Sequence, residues 1–157
     1  MPHAIRQGDI PGVQLRCDAQ LGASRQEVWR WLTEIDRLRL WLASEVEPVG
    51  DDELRLTGEA ADGSVRIERA RTVAQEESRL LVLSFERLED GWQSATKLSF
   101  KLSGETPCGL SVLQQGFERL ALSRCLTVWE FYRRRWRAAL ERLDTEISRA
   151  STEFTPD

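Results

Sequence analysis

The chain is poor in the residues on which most enzyme and metal chemistry rests. It has a single histidine, His3, in 157 residues, and that histidine falls in a polar N-terminal stretch. Ser-His-Asp and Cys-His arrangements need an imidazole beside the nucleophile, and here they have no base to build on. Three cysteines, Cys17, Cys108 and Cys125, are widely spaced and odd in number. They offer neither a disulfide framework nor the paired spacing of zinc ligands, and they read as reduced thiols of a cytoplasmic protein. Glycine-rich phosphate loops are absent. No apolar run approaches the roughly 20 residues of a membrane span, and the opening MPHAIRQGDIPG lacks the apolar segment of a secretory signal. A net charge of -4 argues against a surface given over to nucleic acid. Neither a cofactor nor a metal is expected, and no catalytic residue is assigned.

What remains is an ordinary globular composition, 41% hydrophobic and 31% charged. Neither repeats nor linkers divide it. We expect one domain over residues 10–150, with loose polar ends at 1–9 and 151–157.

The stretch VQLRCDAQL, residues 13–21, alternates apolar and polar side chains and predicts a strand. Ser24 with Glu27 three residues later makes a capping-box pattern at the start of a helix. Val28, Leu32 and Ile35 share its apolar stripe, and a second short helix covers 35–43 with Leu38 and Trp41 on one side. The period then changes to two. Strands are expected at 45–49, 53–58, 64–74, 80–88, 94–102 and 109–117, separated by turn signals at 50–52, 61–63, 89–91 and 103–109. Tight turns between short strands imply an antiparallel meander. In the assumed register Thr96, Leu98, Phe100 and Leu102 form one inward row, and Leu110, Val112 and Gln114 another.

A helix over 122–148 closes the chain. Stepping about 100° per residue from Trp129 gathers Leu122, Cys125, Leu126, Tyr132, Trp136, Leu140, Leu143 and Ile147 into one stripe, the face to be gripped by the sheet. On that wheel the Arg133-Arg134-Arg135 run splits. Arg134 and Arg135 fall on the solvated side, and Arg133 lies about 40° from Trp129, inside the stripe. A charge there needs a partner, so Arg133 either pairs with a sheet carboxylate or anchors a ligand's carboxylate or phosphate. Phe131 points away from the stripe, toward the short helices or a self-association patch.

The segment GASRQEVWRWLTEIDRLRLWLAS resembles the opening motif of the activator of heat-shock-protein ATPase homologue family, part of the START-like (SRPBCC) superfamily. The matching positions are Ala23, Ser24, Val28, Trp29, Leu32, Thr33, Leu38 and Trp41. LQQGF at 113–117 is similar to the family's Gly-Phe ending of the last strand, and Trp136, Leu140 and Leu143 are similar to its closing Trp-x-x-x-Leu-x-x-Leu. One departure is Arg135, where the family often has glycine before the closing tryptophan. The separate chaperone-binding domain of the eukaryotic co-chaperone is also missing from this chain.

The resemblance implies an α+β helix-grip fold, with six or seven curved antiparallel strands around the long C-terminal helix and a cavity between them. We therefore expect a protein that binds a small apolar or amphipathic ligand in that cavity. Arg133, Tyr132, Gln114, Trp129, Phe100 and Trp31 are its candidate contacts, with Thr96 as a further polar group. A cyclase or dehydratase using the same cavity is the alternative, and a chaperone-associated interaction module is a third. A weak homodimer is left open.

Overall fold

The computed structural model describes residues 6–7, 9–59, 63–88, 92, 95–120 and 122–153, without the side chains of 6, 7, 122–124, 152 and 153. His3, the turns at 61–62 and 89–91, the side chain of Leu122 and residues 154–157 lie outside that description.

Eight strands form one antiparallel sheet: β1 (Arg6–Gln7), β2 (Gln14–Leu21), β3 (Glu45–Val49), β4 (Glu53–Glu59), β5 (Val65–Glu76), β6 (Leu80–Arg87), β7 (Thr96–Ser103) and β8 (Cys108–Gln115). Two short helices, α1 (Arg25–Thr33) and α2 (Ile35–Trp41), follow β2, and α3 (Leu122–Glu153) ends the chain. The strand order is β1-β2-β8-β7-β6-β5-β4-β3, so β3 to β8 are a plain meander and β2 closes onto its far end. The curved sheet wraps α3, which is the helix-grip arrangement.

The strand alternation was read in the correct register. Thr96, Leu98, Phe100 and Leu102 are all buried, as are Leu110, Val112 and Gln114. One deviation helps the sheet curl, since the β5–β6 register shifts between Thr72 and Ala74. An extra residue on one strand locally increases bend and twist. The stretch read as a loose N-terminal end instead supplies β1, whose Arg6 and Gln7 pair with Asp18 and Cys17 of β2.

Ser24 caps α1 as expected, its hydroxyl accepting from the Glu27 N–H at 3.1 Å. The reciprocal half of the capping box is replaced. The Glu27 carboxylate turns to Arg37 of α2 at 2.6 Å and to Arg30 at 3.4 Å, which ties the two helices together. Gly116, at φ 105°, makes the left-handed turn after β8 that a side chain would strain, and places Phe117 in the core with no exposed surface.

Where α3 meets β8, β7 and β6, the interior is held by a polar chain. The Trp136 indole N–H donates to Gln114 Oε1 at 2.7 Å. The Gln114 amide donates to the Thr96 hydroxyl at 2.9 Å, and that hydroxyl donates to the Phe85 carbonyl at 2.8 Å. Phe85 and Phe100 pack against the same indole with ring centroids 5.9 Å away. Gln114 is thus a structural tie between helix and sheet. Replacing it with leucine (Gln114→Leu) strands the buried Trp136 N–H, for which the cost is about 1–3 kcal/mol. Urea denaturation of the variant should show that loss with an unchanged m-value.

Candidate functional site

Two spaces lie between the sheet and its helices. Inside the sheet lies a void of about 90 Å³, beside Phe85, Phe100, Trp136 and α2. A far larger cleft, about 1250 Å³ and open to solvent, separates α3 from the β3–β5 limb of the sheet. On the helix side Trp129, Phe131, Ala138 and Ala139 alternate with Glu130, Arg134, Arg135 and Arg142, and Trp41 and Leu42 add apolar surface from α2. The strand side brings Thr57, Gly58, Val65 and Arg66.

At the base of this cleft lies an ionic cluster with Glu68 at its centre. β5 alternates strictly here, so Arg66, Glu68 and Ala70 all turn inward. Glu68 has no exposed surface. Arg135 grips it with both arms of its guanidinium, Nη2 to Oε1 at 2.6 Å and Nε to Oε2 at 3.0 Å. Nη2 of Arg135 also donates to the Leu42 carbonyl at 3.2 Å, at the end of α2. The Tyr132 hydroxyl donates to Oε2 of the same carboxylate at 2.7 Å. Arg66 stands 3.3 Å from Oε2 through its Nε, and its guanidinium lies over the Phe131 ring at 5.7 Å.

Burial on its own would raise the Glu68 carboxyl, but the charge and hydrogen bonds of Arg135, with Arg66 and Tyr132, outweigh it and hold the group below its usual range. Tyr132 is driven the other way. Burial first, then the adjacent Glu68 charge, pushes its hydroxyl well above the usual phenol value, so it remains a donor.

Two arginines therefore exchange roles relative to the sequence reading. Arg133 does not face the interior. Its side chain is 37% exposed and donates through Nε to Asp9 at 2.8 Å, with Glu130 at 3.9 Å. Arg135, expected in water, is 5% exposed at its side chain and sits on Glu68. The eight buried residues of α3, from Trp129 to Ile147, centre about 40° to one side of Trp129. Both arginines then lie about 80° from that centre, on opposite shoulders. Their neighbours decide between them, since Glu68 and the end of α2 cover one shoulder while Asp9 reaches the other.

Of the other candidates, Trp129 lines the cleft and anchors its indole N–H on the Gln14 carbonyl at 2.9 Å. Tyr132 is beneath the cleft, fully buried and committed to Glu68. Gln114, Thr96 and Phe100 belong to the interior away from it. Trp31 is buried in the short helices, with Arg37 stacked 4.9 Å from its ring. Phe131, read as pointing away, forms part of the cleft wall. Leu126, placed in the gripped stripe, is 59% exposed at the cleft's outer end. Arg66 and Glu68 were missed. The signal was present, because two charges occupy alternate positions of a strand whose partners on that face, Ala70 and Leu56, are apolar.

No protein-family model and no curated protein matches this sequence. Solved structures do share its fold. A Rhodobacter sphaeroides protein superposes with TM-score 0.71 at 17% identity, covering 92% of this chain and 98% of its own. Protein CV1439 from Chromobacterium violaceum gives 0.70 at 17% identity over 85% and 96%. DynU16, from the dynemicin biosynthetic locus, gives 0.64 at 19% identity over 86% of this chain and 47% of its own length. All three share the sheet and the C-terminal helix, an arrangement compatible with a START-like fold. Among the described residues no helix is long and apolar enough to cross a membrane.

The cluster makes an asymmetric prediction. Glu68→Ala leaves Arg135 and the Tyr132 phenol without their acceptor and Arg66 without its counter-charge, and should cost the upper part of the about 3–5 kcal/mol typical of a broken buried pair. Arg135→Met should cost less, because Arg66 remains to balance Glu68. A carboxyl with a lowered value stabilises the fold above its unfolded-state pKa of about 4.3 and loses that contribution as pH falls through the lowered value. Urea titrations from pH 7 to pH 3 should show a loss of stability at the acid end that Glu68→Gln reduces.

Proposed function

We propose that the cleft between α3 and the β3–β5 limb holds a small amphipathic molecule, and that the protein is a START-like binding protein rather than an enzyme. The observation that carries this reading is the pairing of an open, largely apolar cleft of about 1250 Å³ with a buried polar cluster at its base. Ligand sites combine a mostly apolar wall with a few fixed polar groups, and this cleft has both. We also place the chain in the branch of heat-shock-protein ATPase activator homologues, on the strength of the opening motif from Ala23 to Trp41 and the closing Trp136, Leu140 and Leu143. Three free cysteines support a cytoplasmic setting. Cys17 and Cys108 are buried, and burial, followed by the charge of Asp18, pushes the Cys17 thiol up to about 12.

The cyclase or dehydratase reading needed Arg133 and Tyr132 to share a cavity. Arg133 instead pairs with Asp9 and does not line the cleft, and the Tyr132 hydroxyl is occupied by Glu68, so binding is the reading supported here.

The test uses Nile red, an uncharged apolar dye that brightens on leaving water. The protein should bind it saturably. Ala138 is exposed and lines the cleft, so Ala138→Trp fills the space without disturbing the core. We expect at least a tenfold loss of dye affinity with an unchanged melting temperature. Equal affinity in both proteins would overturn the assignment of the cleft.

A further inference from the structure

We infer that the cleft is built for a ligand with an anionic end, a carboxylate or a similar oxyanion, received by the Arg66 guanidinium. The inference rests on reading the cleft as a ligand site, and it follows from how the acceptors at its base are used. Two guanidiniums face one carboxylate. Arg135 is satisfied, with two hydrogen bonds to Glu68 and one to Leu42. Glu68 Oε2 already accepts from Tyr132 and from Arg135 Nε, which uses its two lone-pair directions. Arg66 Nε is 3.3 Å from that oxygen but makes no hydrogen bond, and it is buried without an acceptor.

Arg66 as a whole is only 9% exposed, so this is a largely desolvated cation whose nearest carboxylate oxygen is already engaged by Tyr132 and Arg135. Burial, and then the repulsion of Arg135, press its proton affinity down. Nε of Arg66 stays turned to Glu68, and a ligand carboxylate in the cleft would meet the Nη groups and offset the repulsion of Arg135. It adds a second negative charge where Arg66 and Arg135 face Glu68 alone, with Arg87 also over the Phe131 ring at 5.1 Å, and the planar guanidinium fork suits bidentate pairing.

Arg66 lines the cleft, held in place by its neighbours. Arg66 faces Gly58 across the β4–β5 pair, and a Cβ at that position would sit 2.8 Å from its Nη2. The absence of a side chain at residue 58 is what lets the guanidinium lie where it does. The Phe131 ring covers its other side at 5.7 Å. Other charges on the cleft walls are Glu45, Glu59 and Glu130 against Arg134 and Arg142. Glu130 is tied to Arg134 at 3.1 Å, and Glu45 and Glu59 stand exposed on the outer lip, where water screens them. A bound molecule would thus place its charged end at Arg66 and lay its apolar body along Phe131, Trp129 and Ala139.

Displacement of Nile red by three probes with the same ten-carbon chain tests this: decanoate, decyl phosphate and 1-decanol. At least one of the two anions should displace the dye at a concentration tenfold or more below that of the alcohol, and which one does so identifies the head group. Arg66→Gln should remove the preference and Arg66→Lys should keep part of it, while 1-decanol is unchanged in both. The wild-type comparison stands alone if either variant folds poorly. Anions that displace no better than 1-decanol overturn the anion subsite while leaving the ligand cleft intact. Failure of the protein to bind Nile red removes the cleft assignment and the subsite with it.

Discussion

A single carboxylate, that of Glu68, sets the relation between helix and sheet on the open side of the molecule. It is fully buried on β5 and receives donors from two residues of α3, with Arg66 of its own strand beside them. The Arg135 guanidinium carries the connection onward to the end of α2 through Leu42. Ions are expensive to bury, and this arrangement is tolerable only because nearly every lone pair is used. A directional cluster of this kind tolerates little sliding. It therefore fixes how far α3 stands from the β3–β5 limb, and with that the width of the cleft above it.

The other end of the grip is fixed by different means. There Trp136, Gln114, Thr96 and the Phe85 carbonyl form a neutral chain, and the aromatic rings of Phe85 and Phe100 fill the volume around it. A neutral chain costs less to bury than an ionic cluster and leaves no net charge. The contrast explains why one end is packed and the other is open. The closed end satisfies its own polar groups completely, whereas the cleft end retains an excess positive charge directed at Arg66.

Much of this was legible in the sequence. Alternation in β7 and β8 placed Thr96, Phe100 and Gln114 on the inner face, and a register error of one residue would have reversed them all. Tight turns gave the meander order because adjacent antiparallel strands need no crossover. The rotation of α3 was not legible to the same degree. A helical wheel gives relative angles, and choosing Trp129 as its centre left two arginines at equal distance from the true one. Which shoulder of the helix is covered depends on a strand some 65 residues earlier, a non-local fact that helical periodicity does not contain. The capping box shows the same limit at short range, since Glu27 met a stronger partner in Arg37 than the backbone of Ser24.

Arg135 connects the long helix to the strand that carries Glu68. It occupies the place where the resembled family often has glycine, and a glycine there would leave Glu68 with only Arg66 as counter-charge. The two residues are therefore understandable only as a pair, and Arg66 becomes the unsatisfied third member because Arg135 takes the better geometry. Solved structures at 17% to 19% identity reproduce the sheet and helix without fixing what lies at the base of the cleft. Such a fold can host many sites, and its chemistry is set by a few positions on its inner face. In this chain positions 66, 68 and 135 carry the buried charge of that face, two guanidiniums beside one carboxylate.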